Sequence, residues 1–362
     1  MTIEAHVKAK QVALARDIAS RRKIYLDLNF WITVRNAAIG TTSDAAACEL
    51  LGRLRQGVAN GTILCPIGDT VFFELMKQPL SEDRRIGTAK LIDELSLGVS
   101  LIPSNRRVAT EIARFLYGFL MEGAKLHPIE ELVWTRLCHT IGEAYPSIPG
   151  FEAELMLQLQ KEFVDELWNM SLVDMIGHLG DARLEQAGHY EDLSTETNRL
   201  RDLNAHEIKS FEGAYKIEIA GVVDAIGSVP ADVVADLAQQ QGIQPPDRRS
   251  ESWKENERVW KNVLIQAFRK PEPRLALRTL HVEASLHAAM RVDKQRRFTA
   301  NDWSDFHHAA AAMSYCDGFL TEGPLRELVV RKQLGLSAIN GCRVASNISD
   351  ALTVVQAVAF PL

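Results

Sequence analysis

Short apolar runs, each followed closely by a helix-periodic segment, gather at the two ends of this chain and are scarce between them. Such alternation points to a parallel sheet with helices on both faces, because successive parallel strands need a crossover long enough to hold a helix. The first run, Lys23-Ile-Tyr-Leu-Asp-Leu28, breaks at Asn29. Ala45 to Val58 then sets Leu50, Leu51, Leu54 and Val58 at helical spacing. Asn60-Gly61 marks a turn, and Thr62 to Ile67 reads as a second buried strand closed by Gly68. Asp69 is placed to cap a helix that runs to Lys77 and stops at Pro79. A helix over 81–95, a strand over 99–102 and a helix over 105–121 complete this half.

The middle carries amphipathic helical segments and few strand candidates, with breaks at Tyr145-Pro-Ser-Ile-Pro-Gly150 and over 239–251, where Pro245-Pro246 suggests a mobile connection. Alternation resumes after a helix over 274–292: a helix over 301–315, strands over 317–321 and 343–346, and a last helix over 348–358. The expected organisation is an N-terminal helix at 1–22, one α/β domain in two parts at 23–122 and 274–362, and an all-helical insertion at 123–273.

Hydrophobic residues at 46% and charged residues at 24% are ordinary for a globular chain. No apolar run is long enough for a membrane span, and the charged start argues against a signal peptide. The five cysteines are scattered and never spaced as CxxC, which disfavours a zinc site and suits free thiols in a reducing cytoplasm. A net charge of −6 offers no global attraction to nucleic acid, so any such binding must come from local basic patches. GxGxxG after the first strand, GxxxxGK[ST] and HExxH are all absent. His281 and His287 are read as ordinary side chains.

What stands out is a set of acids. Alternation in the first strand puts Tyr25, Asp27 and Asn29 on one side, and a carboxylate there is costly unless paired or bound to a cation. Asp27 also lies at the strand's carboxyl end, where open parallel sheets gather ligands; the plainer reading is an N-cap for the next helix. Glu74 sits one turn into its helix among Val71, Phe72, Phe73 and Leu75. In the helix over 301–315, Asp302, Asp305, Phe306, Ala309, Ala312 and Met313 share a face, with His308 flanking Asp305 and His307 directed to the surface. Thr299-x-x-Asp302 resembles a capping box, so Asp305 is the preferred ligand of the two. Asp317 and Glu322 stand at the two ends of the following strand, either as cluster members or as turn residues. Acids alone suit Mg²⁺ or Mn²⁺, whose bound water can attack a phosphodiester. Lys294, Arg296 and Arg297 are the candidate phosphate contacts, with Phe298 positioned to stack on a base.

At this point the residues resemble the PIN-domain nuclease family. The ordered set runs Tyr25-Leu-Asp-Leu-Asn-Phe-Trp31, Cys65-Pro-Ile-Gly-Asp-Thr-Val-Phe-Phe-Glu-Leu75, Val99-Ser-Leu-Ile-Pro103, Asn301-Asp-Trp-Ser-Asp305, Tyr315-Cys-Asp-Gly-Phe-Leu-Thr-Glu322 and Arg343-Val-Ala-Ser346. The resemblance implies a PIN-like parallel sheet flanked by helices and a Mg²⁺- or Mn²⁺-dependent ribonuclease that cuts RNA by water attack. Asp27, Glu74 and Asp305 would be its first three acids; Gly323 stands where the family's fourth acid is expected, so either Asp317 or Glu322 substitutes or the fourth position is lost. Asp302 is a further candidate metal ligand, and Asn29, Lys294, Arg296, Arg297 and His308 are candidate substrate contacts.

Two other readings stay open from sequence: a PIN-like module that no longer cuts and acts in RNA or protein binding, and a helical partner-binding protein whose α/β part is scaffold. RNA is the expected partner; a protein partner or inhibitor and a homodimer are left open, and no membrane partner is expected.

Overall fold

The computed structural model describes residues 2–120, 126–180, 187–204, 206, 208, 210–293 and 295–360. The N-terminal half contains α1 (Ile3–Asp17), β1 (Arg22–Leu26), α2 (Leu28–Ala38), α3 (Ala45–Ala59), β2 (Ile63–Leu64), α4 (Asp69–Met76), α5 (Arg85–Ser96), β3 (Val99–Leu101) and α6 (Ser104–Leu120). The middle contains β4 (Trp134–Arg136), α7 (Ala153–Leu167), α8 (Leu172–Leu179), α9 (Ala187–Leu203), α10 (Phe211–Ala225), α11 (Val229–Gln240), α12 (Glu251–Ala267) and α13 (Pro271–Ala276). The remainder is α14 (Arg278–Val292), α15 (Ala300–Tyr315), β5 (Gly318–Leu320), α16 (Gly323–Val329), α17 (Ser337–Asn340), β6 (Arg343–Ala345) and α18 (Ile348–Ala359).

The fold is α/β and mostly helical, built on a four-stranded parallel sheet in the order β2-β1-β5-β6. The central pair β1 and β5 joins the two ends of the chain in register, Ile24 opposite Gly318 and Leu26 opposite Leu320. Alternation along these strands assigns the faces. Ile24 and Gly318 look toward α18; a Cβ at residue 318 would lie 3.2 Å from Val354, so glycine lets that helix approach closely. Tyr25 and Phe319 take the opposite face beneath α15, whose buried Ala309–Ala312 run lets it lie close to the strands. Ile24, Tyr25 and Leu26 are fully buried, as expected for a strand covered on both sides.

The expected elements recur with shorter strands. The run at 62–67 is a strand only over Ile63–Leu64, after which Ile67 makes one parallel bridge to Ser100. Asp69 is the first residue of α4, whose N-cap is Gly68; its carboxylate accepts from Thr70 N and, at 2.8 Å, from Ser104 N at the start of α6.

The expected all-helical insertion needs correction. β4, inside 123–273, pairs antiparallel with β3 through Leu101 and Trp134. Val164 of α7, Trp168 just after it, and Leu172 and Ile176 of α8 are buried in the sheet-side core. A second core is formed by Ile112 and Leu116 of α6, Tyr215 and Ile219 of α10, Leu264 of α12 and Leu280 of α14. The helices flanking the supposed insertion thus belong to its core, and its first part belongs to the sheet's. Among the described residues, no helix is long and apolar enough to cross a membrane.

Candidate functional site

The carboxyl edge of β1 and β5 presents adjacent chain positions. Asp27 N donates to Leu320 O at 3.0 Å, so Asp27 directly follows one paired strand where Thr321 follows the other. Asp27 caps α2, its Oδ1 accepting from Phe30 N at 3.0 Å, as the plainer reading of the sequence expects. The Thr321 side chain also hydrogen-bonds Asp27. Glu322 is the N-cap residue of α16, and its Oε1 accepts from the Asn29 amide, 293 positions away in sequence. α15 crosses above these strands and brings Asp305 and His308 down from one face. α4 closes the far side with Glu74.

These side chains line one cavity of about 470 Å³: Asp27, Asn29, Glu74, Asp305, His308 and Glu322, with Lys77 at its exposed rim. His308 is 2% exposed and doubly held, Nδ1 to the Tyr25 hydroxyl and Nε2 to Glu74 Oε2, each at 3.0 Å.

The electrostatics follow from four acids sharing little positive charge. Burial drives the Asp27 carboxyl up to about 6, against the Phe30 N–H and nearby His308. Burial likewise lifts Asp305 to about 7; His308 opposes this, while Asp302, Glu322 and Asp27 add to it. Glu74 behaves opposite to these two: burial pushes it up, but His308, with Lys77 and the Ser304 hydroxyl, outweighs that and holds it below the ordinary carboxylate range. Burial likewise works against the charge on His308, yet Glu74, Asp27 and Asp305 together raise it above the usual imidazole value. The cavity therefore holds one internal ion pair, His308 with Glu74, beside two carboxyls that ionise reluctantly.

Several sequence candidates fall elsewhere. Asp317 sits at the amino end of β5, opposite the cavity, where it accepts from Lys23 N and Arg22, each at 2.8 Å. It is removed from the catalytic and metal set, because a parallel strand's two ends lie on opposite edges of the sheet. Asp302 reaches back to Thr299 N at 2.7 Å and its hydroxyl at 2.8 Å, and pairs with Arg296 at 2.7 Å, so it is a cap rather than a ligand. Arg296 is thereby committed to Asp302 and the Pro324 carbonyl, and Arg297 to Asp202. Lys294 lies outside the described residues. Phe298 is buried against His287 and Phe306, closed to a base. His307 keeps 36% of its side chain exposed, in keeping with a surface-directed residue, and lies 3.3 Å from Glu283.

Two contributors escaped the sequence reading. Ser304 hydrogen-bonds Glu74, and Thr321 hydrogen-bonds Asp27. Each directly precedes an acid of the cavity, Asp305 and Glu322, which is the one signal that could have marked them. Among the described residues, no three His, Cys, Asp or Glu side chains are already arranged to grip one metal ion. No family model, no curated protein and no solved structure matches this chain.

Proposed function

We propose that the protein is a PIN-like, Mg²⁺- or Mn²⁺-dependent endoribonuclease whose reaction takes place in the acidic cavity. The observation that carries this reading is the meeting of Asp27, Asp305 and Glu322 in one cavity at the carboxyl edge of β1 and β5. Three carboxylates with an adjacent amide form an oxygen donor set of the kind these hard cations prefer, without a thiolate. Burial lifts Asp27 and Asp305 above the usual carboxylate range, and a cation bound beside them would favour their charged forms. Asp27, Asp305 and Glu322 would hold the ion; bound there, it would make a bound water easier to deprotonate and offset charge on the phosphodiester.

The chain's own groups have separate tasks. Asn29 fixes the Glu322 carboxylate by donating to it. His308, anchored by Tyr25, holds Glu74 ionised at the cavity wall, where Glu74 can accept a hydrogen bond from an attacking water. Lys77, at the rim of the cavity, would meet a substrate phosphate.

A second reading stays beside this one: the module could bind RNA or a protein without cutting, and among the described residues no three donors are already set around one metal position. One assay separates the two. Labelled single-stranded RNA is incubated with Mn²⁺, Mg²⁺ or EDTA, beside an Asp27→Asn/Asp305→Asn double variant. Cleavage that requires the metal and is lost in the variant is the expected result. RNA bound but left intact under every metal would move the assignment to the non-cutting module.

A further inference from the structure

A second cavity of about 630 Å³ adjoins the acidic one, and Glu74, Lys77 and Ser304 line both. Its remaining walls come from both cores: Phe73 and Asn105 on the sheet side, Ala225 and Ile226 at the end of α10, and Tyr190 and Trp303. The Tyr190 and Trp303 rings are 12° from parallel, with centroids 6.4 Å apart. Trp303 is fixed from behind, its indole N–H donating to Ser194 at 2.9 Å and its ring packing on His287 and Phe298. The charged part of the lining is three acids, Asp69, Glu74 and Glu283, against Lys77 at the rim, with His307 lying against Glu283.

We infer that this second cavity receives one unpaired nucleobase of the strand whose adjacent phosphate lies in the acidic cavity, which makes single-stranded RNA the substrate class. The inference rests on the nuclease reading above and adds a recognition site to it. A flat, immobilised aromatic surface suits base stacking, which is tolerant of sequence. Carboxylates repel a phosphate yet accept the amino and ring N–H donors of a base edge. The lining thus sorts the nucleotide: the base goes in, and its phosphate stays on the acidic-cavity side of the ridge, beside Lys77 and where a bound ion would offset the carboxylates. The volume lies within the usual range of roughly 300–1,000 Å³ for a small-ligand pocket. A base paired in a duplex has its edge occupied and its faces stacked, so it cannot enter.

The test is the affinity of a fluorescein-labelled single-stranded oligoribonucleotide, read by anisotropy in EDTA so that no strand is cut. Wild type is compared with Tyr190→Ala, which removes the stacking ring, and Ala225→Trp, which fills the cavity from an exposed position. Thermal melting reports whether each variant is folded, and the two act by opposite means. Both should weaken single-strand binding about fivefold or more. Duplex RNA of the same sequence should bind wild type more weakly and be indifferent to either change. Unchanged single-strand affinity in the folded variants, an equal loss for duplex, or no single-strand binding by wild type overturns the inference. Failure of the nuclease reading looks different: single strands bind and Ala225→Trp weakens them, yet Mn²⁺ produces no cleavage. Metal-dependent cleavage with Ala225→Trp binding as wild type removes the base cavity alone.

Discussion

The two edges of the sheet treat the same residue type in opposite ways. At the amino edge, Asp317 is answered at once by the Arg22 guanidinium and the Lys23 N–H. At the carboxyl edge, Asp27, Asp305, Glu322 and Glu74 share His308 and the rim lysine Lys77, and burial lifts Asp27 to about 6 and Asp305 to about 7. An acid at a strand end therefore says little until its edge is known. Helices that follow parallel strands begin at the carboxyl edge, which turns the acids there into a common cavity and leaves those at the other edge to local pairing.

The largest expected effect breaks this comparison if it fails. Asp27→Asn or Asp305→Asn should lower RNA cleavage in Mn²⁺ by about a thousandfold or more, while Asp317→Asn should leave the rate within about twofold. The latter loses only a half-exposed ion pair, worth at most about 1 kcal/mol of stability. Equal losses from Asp27→Asn and Asp317→Asn in a cleavage time course would mean that the two edges do not differ as argued.

A smaller effect is expected from His308→Phe. It strips a partner from the Tyr25 hydroxyl and from Glu74, both held in or near the core, at a cost of about 2 kcal/mol in urea unfolding. Cleavage should fall roughly 10- to 100-fold, the usual consequence of losing a group that orients the site. A His308→Phe protein with wild-type stability and rate would show that Glu74 needs no positioning.

The smallest effect sharpens the electrostatic side. Asp27 and Asp305 have folded-state values above their ordinary one near 3.8, so between about pH 4 and 7 the folded protein binds more protons than the unfolded chain. Their contribution to stability is full at low pH and is lost as pH rises through 6 and then 7. Asparagine at both positions should flatten this part of the profile, and at residue 27 it still caps α2 through its amide oxygen. Buried Glu111, lifted to about 7 chiefly by burial in the core, declines over the same window and cancels in the wild-type-minus-variant difference. Urea midpoints at pH 5 and 8 check this: a wild-type drop no greater than the variant's contradicts the assignment. Added Mg²⁺ at pH 8 should raise the wild-type midpoint and leave the variant's unchanged.

Much of the sheet was legible because buried parallel strands and their helices leave strong patterns. Tyr25 and Asp27 were placed on one side by alternation, and Asp305 and the alanine face of α15 by helical period. β4 was not legible: three residues, Trp134 to Arg136, are too short to show a period, and only β3 beside them makes them a strand. The boundary at 123 failed for a related reason. Amphipathic helices announce an apolar face but not the core it joins, so α7 and α8 looked like the insertion while packing against the sheet. The basic cluster near 296 misled because its charge is consumed locally by Asp302 and Asp202, acids that sequence spacing could not assign to it. Asp317 misled because strand direction fixes the edge only once the strand's own ends are known.

Manganese binding followed by electron paramagnetic resonance tests the central claim most directly, because it asks about the carboxyl-edge acids without requiring a substrate. Wild type and Asp317→Asn should each deplete the free Mn²⁺ signal to the same extent, and the Asp27→Asn/Asp305→Asn protein should leave it at the level of buffer. Binding retained in the double variant, or absent from wild type at millimolar Mn²⁺, would contradict the acidic cavity as a metal-dependent site.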